Sequence, residues 1–80
     1  MARILVADDE PSICEAFAAL LAAEGHQSIT AANGREAVQL VRSAQPDVVF
    51  LDVRMPGLDG ISALKEIRAF DSTIPVIVMT

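Results

Sequence analysis

Short apolar runs alternate along the chain with longer segments in which apolar residues recur every three or four positions. Three runs of four apolar residues, at positions 4–7, 48–51 and 76–79, are too short for helices and contain many β-branched side chains. Such runs are typical of strands that are buried on both faces of a parallel sheet. A less apolar run at 26–32 predicts a strand at the edge of the sheet.

The segments between these runs have helical spacing. The first helix is predicted to begin at Pro11 and to end at Gly25. Its apolar stripe, expected to lie on the sheet, consists of Ile13, Phe17, Leu20 and Leu21. Asn33 and Glu36 are spaced as a capping pair at the start of a second helix. The buried stripe expected for that helix consists of Ala37, Leu40 and Val41.

A third helix is predicted from about Gly60, with Asp59 as its cap. The residues expected to place apolar atoms on the sheet are Ile61, Leu64, Ile67 and Arg68. The resulting order, β-α-β-α-β-α-β, predicts an α/β fold with parallel strands, right-handed crossovers and helices on both faces. The first and third strands then lie side by side at the centre, which gives the strand order 2-1-3-4.

Polar side chains follow each strand except the edge strand. Asp8 and Asp9 follow the first strand, Asp52 follows the third, and Thr80 follows the fourth. The carboxyl ends of parallel strands meet at one edge of the sheet, where sites form in open α/β folds, so these groups are expected to converge. Glu10, by contrast, is better explained as a cap of the first helix.

Three neighbouring carboxylates favour a cation between them, because their negative charges repel one another. A small number of oxygen ligands suits Mg²⁺, which also accepts phosphate oxygens. A carboxylate beside Mg²⁺ can attack a phosphoryl group and form an aspartyl phosphate. Gly57 and Gly60 would let the following loop approach the site closely.

Composition narrows the possible functions. The chain has 80 residues, enough for one small domain, and 52% of them are hydrophobic. A net charge of −5 without a basic run argues against binding of nucleic acid or of a membrane through this segment. Cys14, the single cysteine, permits no internal disulfide and fits the cytoplasm, as does the lack of a signal peptide or an apolar run of transmembrane length. His26 has no metal-binding partner nearby in the sequence and is expected to be solvated.

Three motifs carry a family resemblance. ILVADDEP at 4–11, DVVFLDVRMPGLDG at 47–60 and PVIVMT at 75–80 resemble the receiver domain of two-component response regulators. The loop and last strand are most similar to those of NtrC-type transcriptional activators. The resemblance implies a flavodoxin-like (CheY-like) doubly wound sheet, a sensor histidine kinase as partner and an output domain in a longer parent chain.

The resemblance also implies a role for each polar residue at the strand ends. Asp52 would be the phosphoacceptor, and Thr80 would be the switch hydroxyl that moves toward the phosphoryl group. Asp9, Asp52 and the backbone carbonyl of Arg54 would bind Mg²⁺ directly, and Asp8 would bind it through water. The domain would catalyse only its own Mg²⁺-dependent phosphorylation and dephosphorylation, so it is not expected to be an enzyme otherwise.

One part of the family pattern is missing from these residues. Similar receivers continue through a fourth helix, a fifth strand with a lysine before proline, and a fifth helix. We therefore expect residues 1–80 to form a receiver domain without its last helix-strand-helix part. Lys65, the single lysine, is not expected to replace the missing one. If isolated, the chain is expected to self-associate through the apolar strand at 76–79.

Alternatives from other classes stay open. A phosphorylation-independent interaction module of the same fold is one, although such modules usually lose some of these site residues. A phosphatase with an aspartate nucleophile typically needs a second acid where Arg54 stands. A flavin-binding role has the right topology, but DDEPS stands in place of a phosphate-binding loop.

Overall fold

The computed structural model describes residues 1–54 and 60–79, in which strands and helices alternate. The elements are β1 (Arg3–Ala7), α1 (Pro11–Ala23), β2 (Gln27–Ala31), α2 (Gly34–Ala44), β3 (Val48–Asp52), α3 (Gly60–Phe70) and β4 (Val76–Met79). The strands form one parallel sheet in the order β2-β1-β3-β4. The predicted α/β fold and the strand order 2-1-3-4 are therefore confirmed.

The two central strands end level with each other. Ala7, the last residue of β1, pairs with Leu51 of β3. Asp8 and Asp52 therefore leave the sheet at the same edge, one from each central strand. The backbone N–H of Asp8 also donates to the carbonyl of Ala31 at the end of β2, at 3.0 Å, which extends the sheet hydrogen bonds past β1.

Two apolar clusters hold the helices on the sheet, one on each face. The cluster beneath α2 and α3 contains Leu5, Ala7, Ala31, Ala37, Val38, Val41, Val49, Leu51, Ala63, Ile67 and Ile74. The cluster beneath α1 contains Ile4, Val6 and Cys14, with Ala2, Phe17, Leu21, Val48 and Phe50 packed around them. Alternate residues of β1 thus enter opposite clusters, as expected of a strand buried on both faces.

Helix α1 contacts the sheet through part of the predicted stripe. Phe17 and Leu21 lie against the sheet as expected, together with Cys14. Ile13 and Leu20 were expected to be buried too, but they are 37% and 68% exposed. Apolar residues lie on several sides of α1, so helical spacing alone does not decide which of them join Phe17 and Leu21 on the sheet.

Helix α3 shows a smaller error of the same kind. Ile61 was expected on the sheet but is 52% exposed, whereas Ala63 and Ile67 are buried and Leu64 is half-buried. The guanidinium of Arg68 donates to the carbonyl of Ile74. Arg68 thus contributes to the loop before β4. Asp59, the predicted cap of this helix, lies outside the described residues.

Local hydrogen bonds fix the ends of the other helices. Asn33 Oδ1 accepts from the N–H of Glu36 at 2.8 Å, and Glu36 Oε1 accepts from the N–H of Ala32 at 3.0 Å. The predicted capping pair of α2 is therefore confirmed. Gly25 follows α1 with a φ of +80°, a backbone conformation that favours glycine.

The expectation that His26 is solvated is wrong: its ring is partly buried, and Nδ1 accepts from the N–H of Ala2 at 2.9 Å.

Candidate functional site

Three carboxylates meet at the carboxyl edge of the sheet. Asp8, Asp9 and Asp52 each place one carboxylate oxygen within 4.8 Å of the other two. Asp8 and Asp52 are only 9% and 8% exposed, whereas Asp9 is exposed. The predicted convergence of these three residues is confirmed. Thr80, predicted to join them, lies outside the described residues.

The two buried aspartates are held in the same way. Asp8 Oδ1 accepts the N–H of Glu10 at 2.9 Å, and Asp52 Oδ1 accepts the N–H of Arg54 at 2.9 Å. Each side chain therefore binds the backbone two residues further on, an arrangement that turns the chain and orients the carboxylate.

Glu10 occupies the N-cap position of α1, so the predicted place of the cap is confirmed. Its side chain makes no capping hydrogen bond. Its backbone carbonyl accepts the N–H groups of Ile13 and Cys14, at 3.1 and 3.3 Å. Its own N–H donates to Asp8 Oδ1, which helps to orient that carboxylate.

A hollow of about 200 Å³ opens beside the two buried carboxylates. The described residues that line it are Asp8, Glu10, Ile13, Asp52, Arg54 and Met79. Two apolar residues in this set, Ile13 and Met79, were not predicted as part of the site. The position of Ile13, in the first turn of α1 after the acids, could have indicated that it lines the site. Met79 does so because it pairs with Asp52 across the sheet.

Gly60 brings the start of α3 into contact with the strand that carries Asp52. A Cβ atom at Gly60 would lie 2.2 Å from Val53 Cα and 2.7 Å from the backbone oxygen of Asp52. A side chain at this position would therefore push α3 away from the end of β3. The close approach predicted for Gly60 is confirmed, whereas Gly57 lies outside the described residues.

Cys14 supports Asp8 from the side of α1. Its thiol donates to the backbone carbonyl of Asp8, with 3.5 Å between Sγ and the oxygen. Burial raises the pKa of this thiol, and the negative charges of Asp8 and Glu15 raise it further. The protonated, buried thiol is thus a packing group and not a reactive one.

The donor set fits a hard divalent cation. Carboxylate oxygens are ligands of the kind that Mg²⁺ binds in proteins. Two of the three carboxylates are buried and already oriented by backbone hydrogen bonds. A cation can therefore bind them with little rearrangement of the side chains, which lowers the free-energy cost of binding. Lys65 is exposed on α3 and lines none of the described hollow.

Comparison with known proteins identifies the family of this fold and carboxylate cluster. The family model "Response regulator receiver domain" matches residues 4–80. The chain belongs to the response regulator receiver domain family. None of the helices in the described part of the chain combines the length and hydropathy that crossing a bilayer requires.

The chain spans only part of the length of the curated relatives described here. Regulatory protein AtoC of Escherichia coli K12 is 45% identical over 78 residues, which are 98% of this chain but 17% of AtoC. Protein PilH of Pseudomonas aeruginosa is 45% identical over 82 residues, which cover all of this chain and 68% of PilH.

A solved structure agrees with the fold in detail. The N-terminal domain of a response regulator receiver protein from Methanoculleus marisnigri JR1 superposes with a TM-score of 0.93 at 36% identity. The match covers all of this chain and 67% of that one. The four parallel strands and three helices described above are thus those of a receiver fold.

Proposed function

We propose that this chain is the phosphoacceptor part of a two-component response regulator. In this function, Asp52 accepts a phosphoryl group from a phosphohistidine of a sensor histidine kinase. The observation that carries the proposal is the cluster of Asp8, Asp9 and Asp52, whose carboxylate oxygens lie within 4.8 Å of one another. Membership of the receiver family supports the same conclusion.

In the proposed transfer, a carboxylate oxygen of Asp52 forms a bond to phosphorus. The bond from phosphorus to the histidine nitrogen breaks, and its electron pair stays on the imidazole ring. The N–H of Arg54, bound to Asp52 Oδ1 at 2.9 Å, holds the carboxylate in a fixed orientation during the attack. The resulting aspartyl phosphate is a covalent intermediate of the kind that carboxylate nucleophiles form.

The neighbouring acids would repel an incoming phosphoryl group unless a cation lay between them. We propose that Asp9, Asp52 and the backbone carbonyl of Arg54 would hold Mg²⁺ and that Asp8 would bind it through water. Bound Mg²⁺ would neutralise charge on the oxygens of the transferring phosphoryl group. Thr80 is proposed as the hydroxyl that responds to the phosphoryl group.

The consequence of phosphorylation is proposed to reach an output domain in a longer protein. AtoC, of which the matched region is 17%, is named a regulatory protein. From the resemblance of the loop and last strand to those of NtrC-type transcriptional activators, we infer that the output is control of transcription. We also infer that the protein acts in the cytoplasm, where its single cysteine would stay reduced.

The test is the intact mass of the chain after incubation with Mg²⁺ and acetyl phosphate. We expect an adduct of one phosphoryl group on the native chain and none on Asp52→Asn. Chelation of the metal with EDTA should abolish the adduct as well. Asp71→Asn is the matched control, since Asp71 follows α3 at the opposite edge of the sheet and should not affect loading.

Two outcomes would contradict the proposal. An adduct of equal yield on Asp52→Asn would move the acceptor to another residue. No adduct on a native chain that circular dichroism shows to be folded, and none on a longer chain that carries the missing helix-strand-helix part, would favour the interaction module that does not depend on phosphorylation. Mg²⁺ affinity, measured separately by titration, would then show whether the cluster still binds metal.

A further inference from the structure

A second concave surface lies on the β2 side of the sheet, between α1 and the junction of β2 with α2. We name it the α1–α2 groove. It has a volume of about 430 Å³, within the range of pockets that bind small molecules. Its lining consists of Asp8, Asp9, Pro11, Cys14, Glu15, Ala18, Thr30, Ala31, Ala32 and Glu36.

The wall of the α1–α2 groove is mostly apolar and is made of small side chains. Pro11, Cys14 and Ala18 line it from α1, and Ala31 and Ala32 line it from the end of β2. Small side chains leave the space itself unfilled, so that a short apolar stem can pack there. Burial of such a stem is favourable by about 25 cal/mol for each Å² removed from water.

The rim of the groove is acidic. Its exposed carboxylates belong to Asp9, Glu15 and Glu36, and neither lysine nor arginine is among its described lining residues. Glu36 is fixed in place, because its Oε1 already accepts the N–H of Ala32 at 3.0 Å. A cation that enters the groove would therefore meet carboxylates on both sides, with one of them already ordered.

All the charged residues among the described lining of the groove are acidic, namely Asp8, Asp9, Glu15 and Glu36. Asp8 and Glu15 lie on either side of Cys14 in the chain, and Glu36 comes from α2. Charge complementarity selects a cationic occupant over an anionic or neutral one.

We propose that the α1–α2 groove binds a small organic cation, namely a guanidinium or protonated amine on a short apolar stem. The stem packs on the small side chains, and the charged head lies between Glu15 and Glu36. This proposal does not rest on phosphorylation of Asp52. It predicts an antagonism, however, because Asp8 and Asp9 belong to both sites and a divalent cation at the carboxylate cluster repels a cation in the groove.

The experiment is an NMR titration of the ¹⁵N-labelled chain with n-butylguanidinium, in EDTA and without a phosphodonor. The chain carries Ile77→Lys, which is expected to keep it monomeric and lies outside the lining of the groove. We expect saturable shifts of amides around the groove, centred on Cys14, Ala18 and Ala32, with a roughly millimolar Kd. Butylurea, a neutral molecule of similar shape, should bind at least about threefold more weakly. Added Mg²⁺ should weaken binding of the probe.

Variants that remove the rim carboxylates measure how much these charges contribute to the affinity for n-butylguanidinium. The double variant Glu15→Gln, Glu36→Gln should weaken binding about three- to tenfold, and glutamine at position 36 can keep the helix cap. Glu24→Gln, Glu66→Gln is the matched control with the same change of net charge on residues that do not line the groove. Ala18→Leu, which fills the groove from α1, should abolish binding without removing a charge.

Three results would overturn the proposal. One is equal binding of butylurea, which would show that the charge does not matter. Another is an equal effect of the control pair, which would show that only net charge matters. The last is a set of shifts centred on Asp52 and Arg54, which would place the probe at the carboxylate cluster. None of these results bears on phosphoryl transfer, so failure here and failure of the proposed function are distinguishable.

Discussion

At the scale of single residues, the same device appears at the ends of both central strands. Asp8 and Asp52 each end a buried apolar run, and each accepts the backbone N–H of the residue two positions later. The apolar run holds the strand in the sheet, and the aspartate turns the chain out of it. The backbone hydrogen bond satisfies one oxygen of the buried carboxylate. The same turn places the carboxylate at the carboxyl edge of the sheet, where a cation can reach it from solvent.

This geometry predicts different roles for the two residues that flank the cluster on the solvent side. Arg54→Ala should leave Mg²⁺ affinity within about threefold of the native value, because the proposed ligand is a backbone carbonyl and the exposed guanidinium is screened. Asp9→Asn should lower the affinity at least about tenfold, since it removes a proposed direct ligand and its charge. Isothermal titration with Mg²⁺ measures both effects.

The opposite ranking would refute these assignments. A large loss in Arg54→Ala would show that its side chain binds or orients the metal. Unchanged affinity in Asp9→Asn would leave Asp8 and Asp52 as the ligands. Circular dichroism of each variant checks that neither substitution acts through unfolding.

The sequence predicts the cluster better than it predicts individual contacts. Asp8 and Asp52 could be assigned because each follows a recognisable apolar strand and parallel strands share one carboxyl edge. The contact of His26 could not be predicted, because its partner is the backbone N–H of Ala2, 24 residues away, and backbone donors leave no mark in the sequence.

At the scale of elements, Gly60 couples the position of α3 to the site. The absence of a side chain lets α3 start against the backbone of Val53, directly after Asp52. The φ angle is not the reason for glycine here, since Gly25 is the described glycine with a positive φ. Steric contact alone demands glycine at position 60.

Gly60→Ala should therefore lower the free energy of unfolding by about 1–3 kcal/mol, the usual cost of inserting atoms into a packed site. It should also weaken Mg²⁺ binding, because relief of the clash must move either α3 or the end of β3. Urea denaturation and metal titration of the same variant measure the two effects. Gly25→Ala is the control: it should lose about 1 kcal/mol through its positive φ, yet a Cβ there meets nothing within 4 Å and Mg²⁺ affinity should be unchanged.

Loss of stability in Gly60→Ala without any change in Mg²⁺ affinity would show that α3 moves alone. Gly60 would then be a packing residue without influence on the carboxylates. Equal changes of metal affinity in both variants would indicate a general loosening of the fold.

The face of α1 that contacts the sheet cannot be predicted fully from the sequence. Spacing alone allows either Cys14 or the pair Ile13 and Leu20 to lie on the sheet beside Phe17 and Leu21. In the folded chain Cys14 does so, and Phe17 packs on Phe50 of β3, with 5.3 Å between their ring centroids. This contact joins residues far apart in sequence and follows only from the folded sheet.

At the scale of the whole molecule, topology follows from few rules. Strands that alternate with helices must pair in parallel, and right-handed crossovers to opposite faces set the order β2-β1-β3-β4. The apolar runs at 4–7 and 48–51 identify the central strands, because strands covered on both faces are typically apolar throughout. The same rule makes the position of β4 unusual: it is apolar throughout, yet Ile77 and Val78 are 48% and 42% exposed.

Ile77 and Val78 point to opposite faces of the sheet, and β4 pairs with β3 among the described strands. An exposed apolar strand with a free edge pairs readily with another chain. We therefore predict that the polypeptide of residues 1–80, studied by itself, self-associates through β4 at micromolar concentration. Sedimentation velocity should show dimers or larger species, and Ile77→Lys should shift them toward the monomer because a charged edge resists pairing.

Ile61→Lys separates this edge effect from a general effect of surface hydrophobicity. Ile61 is 52% exposed on α3, close to the value for Ile77, but it lies on a helix and offers no backbone hydrogen bonds to a second chain. Association should therefore persist in Ile61→Lys and decrease in Ile77→Lys. A native chain that is monomeric and melts cooperatively would refute the prediction. Equal loss of association in both variants would assign it to apolar surface and not to the strand edge.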